Sequence, residues 1–333
     1  MVQVPTQAEP ELAALDAVRP GSPADITGRG RPAARCGCAD RDNPQVVFYD
    51  ELQILVDEVA DRLDRWTGNM SWVFEPRSAA AAEVTNREKR LDGSPWGERP
   101  IRTVYQFAQM ETKLTVEMSR CVALLISSGR PTPGIETVSR AALEAGSVVW
   151  WLLEEGLTAR QRVCRMQLLR RNSARALAKN IKEVGEDPAV AGRETVAGIK
   201  AECRALGLAP FTQDGDELEG QIRLGYTARV KKFGDEFGFK GSYSIYSGVA
   251  HAELAGVWRL LGETGATLPG REAIYGPVVD PEALFAAAAC TLKSMMGPVE
   301  RIALLFGWTV PGRGEVVSET IEYINDQLER LRP

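Results

Sequence analysis

Residues 135–155, IETVSRAALEAGSVVWWLLEE, are apolar on nearly every side when wound as a helix. A helix of that kind cannot sit on a surface, so it marks the centre of a larger helical assembly. The neighbouring segments read the same way. Residues 44–66 open with Asn43 as a cap and Pro44 in the first turn, and carry Val47, Leu52, Leu55, Val59 and Leu63 at helical spacing. A helix is expected over 78–91, ended by Pro95, Gly97 and Pro100. Residues 101–128 repeat Val104, Phe107, Ala108, Met110, Leu114, Met118 and Val122 with a period near 3.6. GRPTPG at 129–134 is a hinge before the central helix.

Downstream, a basic helix is expected over 159–184, another from Asp187-Pro188 to 206, and a third from 227, pausing at Gly238–Gly241 and running on to 261. Asp280-Pro281-Glu282 opens a helix of about 25 residues that Gly297-Pro298 would kink, and 315–331 forms the last one. Two long loops, 207–225 with its acidic GDELEG and 262–276, exceed usual connection lengths and are candidate lids. No strand pair or hairpin turn stands out. The chain reads as all-α, an irregular helical bundle of about eight to ten helices. Residues 1–43, rich in Pro, Gly, Ala and Arg without a period, read as a disordered leader before a single domain at 44–333 with its core in 101–307.

Composition narrows the function classes. Forty basic and 45 acidic residues leave a net charge of −5, which gives no general attraction to RNA or to an anionic membrane. No apolar run reaches the length needed to cross a bilayer, and the N-terminus lacks a signal-peptide pattern, so a cytoplasmic location is expected. The six cysteines have no framework spacing; only Cys36 and Cys38 lie close together. With one histidine in the chain, no metal site is expected. Neither GxxxxGK[ST] nor a GxGxxG after a strand occurs, which leaves nucleotide-fold functions without support and any cofactor unknown. Asp57, Asp61 and Asp64 share a helix face with Arg62 and Arg65 interleaved, which reads as a solvated charged surface.

Three groups of residues could carry chemistry. The only histidine, His251, lies in 243–261, expected to be a buried helix with Tyr243, Ser247, His251 and Trp258 on one side. His251 could act as acid or base with Tyr243 and Ser247 beneath it, although G-x-S-x-G is absent. On the central helix Arg140, Glu144, Ser147 and Trp151 share a face, and a half-buried Arg–Glu pair is expected there. The basic helix carries Arg160, Arg162, Arg165, Arg170, Arg171, Arg175 and Lys179. Most of these should face solvent, with Arg162 and Arg165 placed to turn inward and bind an anion.

The order Arg140-x3-Glu144, Trp151-Leu152-Leu153, Arg162-x2-Arg165, then Tyr243-x3-Ser247-x3-His251 resembles a group of all-helical bacterial proteins of unknown function, frequent in actinobacteria. The likeness covers roughly 101–262. Some members are regarded as distant relatives of HEPN helical domains, which include defence-associated ribonucleases; the resemblance thus implies RNA as one possible partner. The HEPN nuclease motif separates an Arg from a His by four to six residues, and Ser244, Ile245 and Tyr246 fill those places here. Three readings follow: a helical protein whose Arg140, Glu144, Tyr243, Ser247 and His251 cluster lines a small-molecule or anionic pocket; a HEPN-like RNA-directed enzyme; and a non-catalytic homodimer.

Overall fold

Nine α-helices carry the chain among the described residues of the computed structural model, which are 44–69, 74–85, 88–128, 133–183, 188–251, 261–263, 275–277, 281–308 and 326. They are α1 (Pro44–Asn69), α2 (Ala79–Val84), α3 (Arg99–Ser127), α4 (Pro133–Leu152), α5 (Ala159–Glu183), α6 (Pro188–Ala205), α7 (Tyr226–Phe237), α8 (Ser242–Ala250) and α9 (Pro281–Phe306). The architecture is an irregular all-α bundle. The expected leader at 1–43, with Cys36 and Cys38, most of the hinge at 129–134, Trp258 and all but residue 326 of the last helix at 315–331 lie outside the described residues.

The all-apolar helix is α4, and it sits where its composition requires. It packs against α3, α9, α8, α7 and α5, and it feeds two buried clusters. Leu143, Trp150 and Trp151 enter one with α1, α7, α8 and most of α9. Val149, Leu152 and Leu153 enter the other with α2, α5, α6 and the end of α9. The α4–α9 approach depends on Gly146, where a Cβ would lie 2.3 Å from the Ser294 carbonyl oxygen. That oxygen is the one left without its helical donor by Pro298, four residues on. Pro298 lies within a continuous α9, and the freed carbonyl faces backbone that carries no side chain.

Several local expectations are corrected. The helix expected over 78–91 is only Ala79–Val84, capped by the Ser78 hydroxyl accepting from the Ala81 N–H at 3.1 Å. Its last turn is closed by Thr85, whose hydroxyl donates back to the Ala81 carbonyl. Beyond it the chain pairs Lys89 with Pro95 and buries Trp96, whose indole N–H reaches the Leu206 carbonyl at 2.8 Å. Val47, Met110 and Leu114, expected on inner faces, are exposed.

Two short antiparallel hairpins are present where no strands were expected. β1 (Glu217–Leu218) pairs with β2 (Gln221–Ile222), and β3 (Leu261–Glu263) pairs with β4 (Tyr275–Pro277). Two or three residues per strand are too few to show an alternating pattern. Between β1 and β2, Glu219 and Gly220 both take positive φ, 50° and 75°, as a tight two-residue turn demands. Glu219 is held in that unusual conformation by α5: Arg160 donates Nε and Nη2 to its two carboxylate oxygens, each at 2.6 Å. Glu219 of the acidic stretch thus ties this hairpin to α5.

Candidate functional site

The helix through His251 is shorter than its sequence suggests. α8 ends at Ala250, and His251 is its C-cap, with φ −94° and its N–H on the Ser247 carbonyl at 3.0 Å. Leu261 is already in a ladder with Pro277, which no helix running to 261 could allow. His251 is exposed rather than buried, and the rest of the expected pocket floor, 252–260 with Trp258, lies outside the described residues.

Part of the expected cluster nevertheless assembles. Arg140 donates Nε to Glu144 at 2.9 Å, Nη1 to the His251 Nε2 at 3.1 Å, and Nη2 toward the Tyr243 hydroxyl at 3.5 Å. The Tyr243 hydroxyl donates to Glu144 at 3.1 Å, and the Arg140 guanidinium lies 5.3 Å from the Tyr243 ring centre. Because arginine has no acceptor, the His251 Nε2 must present its lone pair, which places the ring proton on Nδ1. These groups satisfy one another and tie α8 to α4. Ser247 is half-buried, and no hydrogen bond joins its hydroxyl to the His251 ring among the described residues. The Ser–His pair does not form.

Arg162 and Arg165 do turn inward, but in place of an open anion site each meets a carboxylate of the protein. Arg162, 3 % exposed, pairs with Glu83 at 3.1 Å and donates to the Leu152 carbonyl. Arg165 pairs with Glu154 at 2.6 Å, donates to Gln221 and to the carbonyl of buried Trp151, and stacks over the Trp151 ring. Arg160 and Arg170 are likewise paired, with Glu88 and Glu219 and with Glu202. Two of the three aspartates of α1 are also not simply solvated, since Arg120 of α3 reaches Asp61 at 3.0 Å and Asp64 at 2.8 Å.

One cation stands apart. Arg229 on α7 is 2 % exposed, and no carboxylate lies within salt-bridge distance of it among the described residues. Its Nε donates to the Ser147 hydroxyl at 3.1 Å and its Nη1 to the Leu224 carbonyl at 3.4 Å, while the buried Nη2 has no partner. The Tyr226 ring lies 5.0 Å from the guanidinium. Burial pulls its pKa below the ordinary arginine value, with the charges of Tyr226, Glu144 and Glu111 acting only at longer range to oppose this. Such an arrangement is costly unless something negative completes it.

Arg229 forms one wall of a cleft of about 280 Å³ between α3, α4, α5 and the start of α7. Glu111, Glu144, Asn172, Ser173, Tyr226 and Arg223, the last paired with Asp216 at 2.8 Å, contribute its polar groups, and Phe107, Val148 and Leu169 are among its apolar ones. Burial raises the Glu111 carboxyl above the usual glutamate value, although the nearby Arg229 charge works the other way. Of the residues expected to form a site, only Glu144 lines this cleft. Arg229 and Glu111 were not among the expected residues. Arg229, Phe233 and Phe237 recur at i, i+4 and i+8, a spacing that places the arginine on the inward stripe of α7, and Glu111 sits at the same kind of spacing between Phe107 and Leu114.

Among the described residues no three His, Cys, Asp or Glu side chains converge in a way that could hold a metal ion, and no helix is long and apolar enough to cross a membrane. No family model, curated protein or solved structure matches the chain.

Proposed function

We propose that the protein binds a small monoanionic ligand, a carboxylate or a single phosphate group on an apolar body, in the cleft between α3, α4, α5 and α7. The orphan Nη2 of Arg229 carries this reading. A guanidinium that is almost wholly buried, without an acid against it, is what a pre-organised anion anchor looks like before its ligand arrives. Ser147 and Tyr226 fix its plane, and the ligand oxygen supplies the missing acceptor. Phe107, Val148 and Leu169 offer the apolar contact that a carboxylate-bearing hydrocarbon or aromatic ring requires. The cleft size suits a small molecule and not a polymer chain.

The test uses benzoate, acetate and inorganic phosphate as probes, with thermal denaturation and calorimetry on the full chain. A ligand at about 100 times its Kd should stabilise the fold by about 2.7 kcal/mol. Arg229→Met should lose that response while remaining folded. An equal response from wild type and Arg229→Met would reject the assignment.

A further inference from the structure

A second anion-binding feature lies on another part of the bundle, between α5 and α6. Two adjoining depressions of about 290 and 450 Å³ share Lys200 as a common wall. Arg171 and Arg204 line the first, and Arg175 and Arg193 line the second. Among the described residues no Asp or Glu lines either one.

The contrast along α5 is informative. Arg160, Arg162, Arg165 and Arg170 each hold a carboxylate. Arg171 and Arg175 hold only backbone carbonyls: Arg171 donates to Gly215 at 2.7 Å and to Asp214 at 3.3 Å, and Arg175 donates to Asp214 at 3.0 Å. The acids close by face elsewhere. The Asp214 carboxylate accepts from the Thr212 hydroxyl and the Asp216 N–H, and the Asp216 carboxylate is held by Arg223 at 2.8 Å. Across the seam, neither Lys200 nor Arg204 has a carboxylate partner among the described residues. Burial and the like charge of Arg175 together push the Arg171 pKa down.

Arg171 is also fixed in place by the backbone around it. It is 8 % exposed, its buried Nε has no partner, and the Phe211 ring lies 5.2 Å from its guanidinium. Gly215 takes φ +75°, and a Cβ there would overlap the Arg171 guanidinium at 1.6 Å. Only glycine lets the chain close over this cation.

We infer that the α5–α6 groove binds a short polyphosphate, a diphosphate or triphosphate group, free or carried on a nucleotide. Arg171 and Arg175 are one helical turn apart, as are Lys200 and Arg204, so each pair offers cations spaced by roughly 6 Å along its helix. Two such pairs facing one another match an anion with successive charges better than an isolated one, and partly exposed Phe211 offers a ring against which a base could rest. The site is independent of the Arg229 cleft.

Inorganic tripolyphosphate, ATP and a single-stranded RNA oligonucleotide are titrated by calorimetry at low salt into wild type, Lys200→Glu/Arg204→Glu and Arg229→Met. The expected result is tripolyphosphate binding that the double charge reversal weakens by more than about tenfold, with a shallower salt dependence, and that Arg229→Met leaves within about twofold. Tighter binding of ATP than of tripolyphosphate assigns the nucleotide as the source; equal binding assigns the phosphate chain alone. No binding of tripolyphosphate by folded wild type, equal affinity in the charge-reversed protein, or a clear preference for the RNA strand would overturn the inference.

Discussion

Arg162 and Arg229 are buried to nearly the same depth, at 3 % and 2 % exposed, yet their surroundings differ in kind. Arg162 reaches across to Glu83, which also accepts from the Tyr105 hydroxyl at 2.7 Å. Its charge is closed within the protein. Arg229 faces a hydroxyl, a carbonyl, an aromatic ring and open space. Desolvating a guanidinium costs several kcal/mol wherever it happens, so the first case is internally compensated and the second is not. The comparison teaches that depth of burial alone does not separate a structural arginine from a binding one. What separates them is whether the fold itself supplies the counter-charge.

The largest effect expected from breaking this comparison is at the closed charge. Arg162→Met takes the buried guanidinium away from the partly buried Glu83 carboxylate and from the Leu152 carbonyl, and should cost about 3–5 kcal/mol in urea denaturation. A loss below about 1 kcal/mol would mean that Glu83 finds another cation and that the pair is dispensable. Arg229→Met removes a buried charge that has no carboxylate, so its stability should lie between unchanged and about 2 kcal/mol more stable. The same substitution should abolish stabilisation by benzoate. A destabilisation as large as that of Arg162→Met would place the two arginines in one structural class.

The sequence conveys this difference only in part. The position of α4 was legible because a helix apolar all round has one possible environment. The basic character of α5 was legible too, but its destination was not, since Glu83, Glu202 and Glu219 lie 79, 32 and 59 residues from the arginines they meet. Helical periodicity reports on one helix at a time and cannot name a partner on another. The end of α8 was invisible for a related reason: nothing at 252–260 breaks the apolar period, and the strand at Leu261 depends on pairing with Pro277. Attention to the single histidine also drew the candidate site along α8, when the uncompensated charge was one helix earlier at Arg229.

Glu111 sharpens the open side of the comparison through pH. Burial raises its folded-state pKa above the ordinary glutamate value of 4.5. Below that value the folded and unfolded chains both hold the proton. As pH climbs from 4.5 toward the raised folded value, the unfolded chain has released a proton that the folded chain keeps, so stability falls. Glu111→Gln should therefore match wild type at the acid end and become the more stable protein as pH rises through that window. Anion affinity should follow the same group, because an ionised Glu111 opposes a negative ligand in the cleft. Wild type should bind benzoate more weakly as pH increases, and Glu111→Gln should flatten the profile. A wild-type profile already flat across this range would remove Glu111 from the cleft electrostatics.

The smallest effect belongs to the residue that draws most notice in the sequence. His251 is exposed and contributes one hydrogen bond to Arg140, which keeps Glu144 at 2.9 Å and Tyr243 at 3.5 Å without it. Replacing it by Ala should cost about 0.5 kcal/mol, the scale of a surface substitution. Because His251 does not line the cleft, benzoate affinity should stay within about twofold of wild type. Tyr243→Phe provides the control, since it removes the hydroxyl that Glu144 accepts and leaves that half-buried carboxylate with Arg140 and less of its hydrogen bonding. Its effect should exceed that of His251→Ala for stability. If His251→Ala instead weakened ligand binding by tenfold with the fold intact, the anion would have to sit at the α4–α8 end, and Arg229 would be the structural arginine of the two.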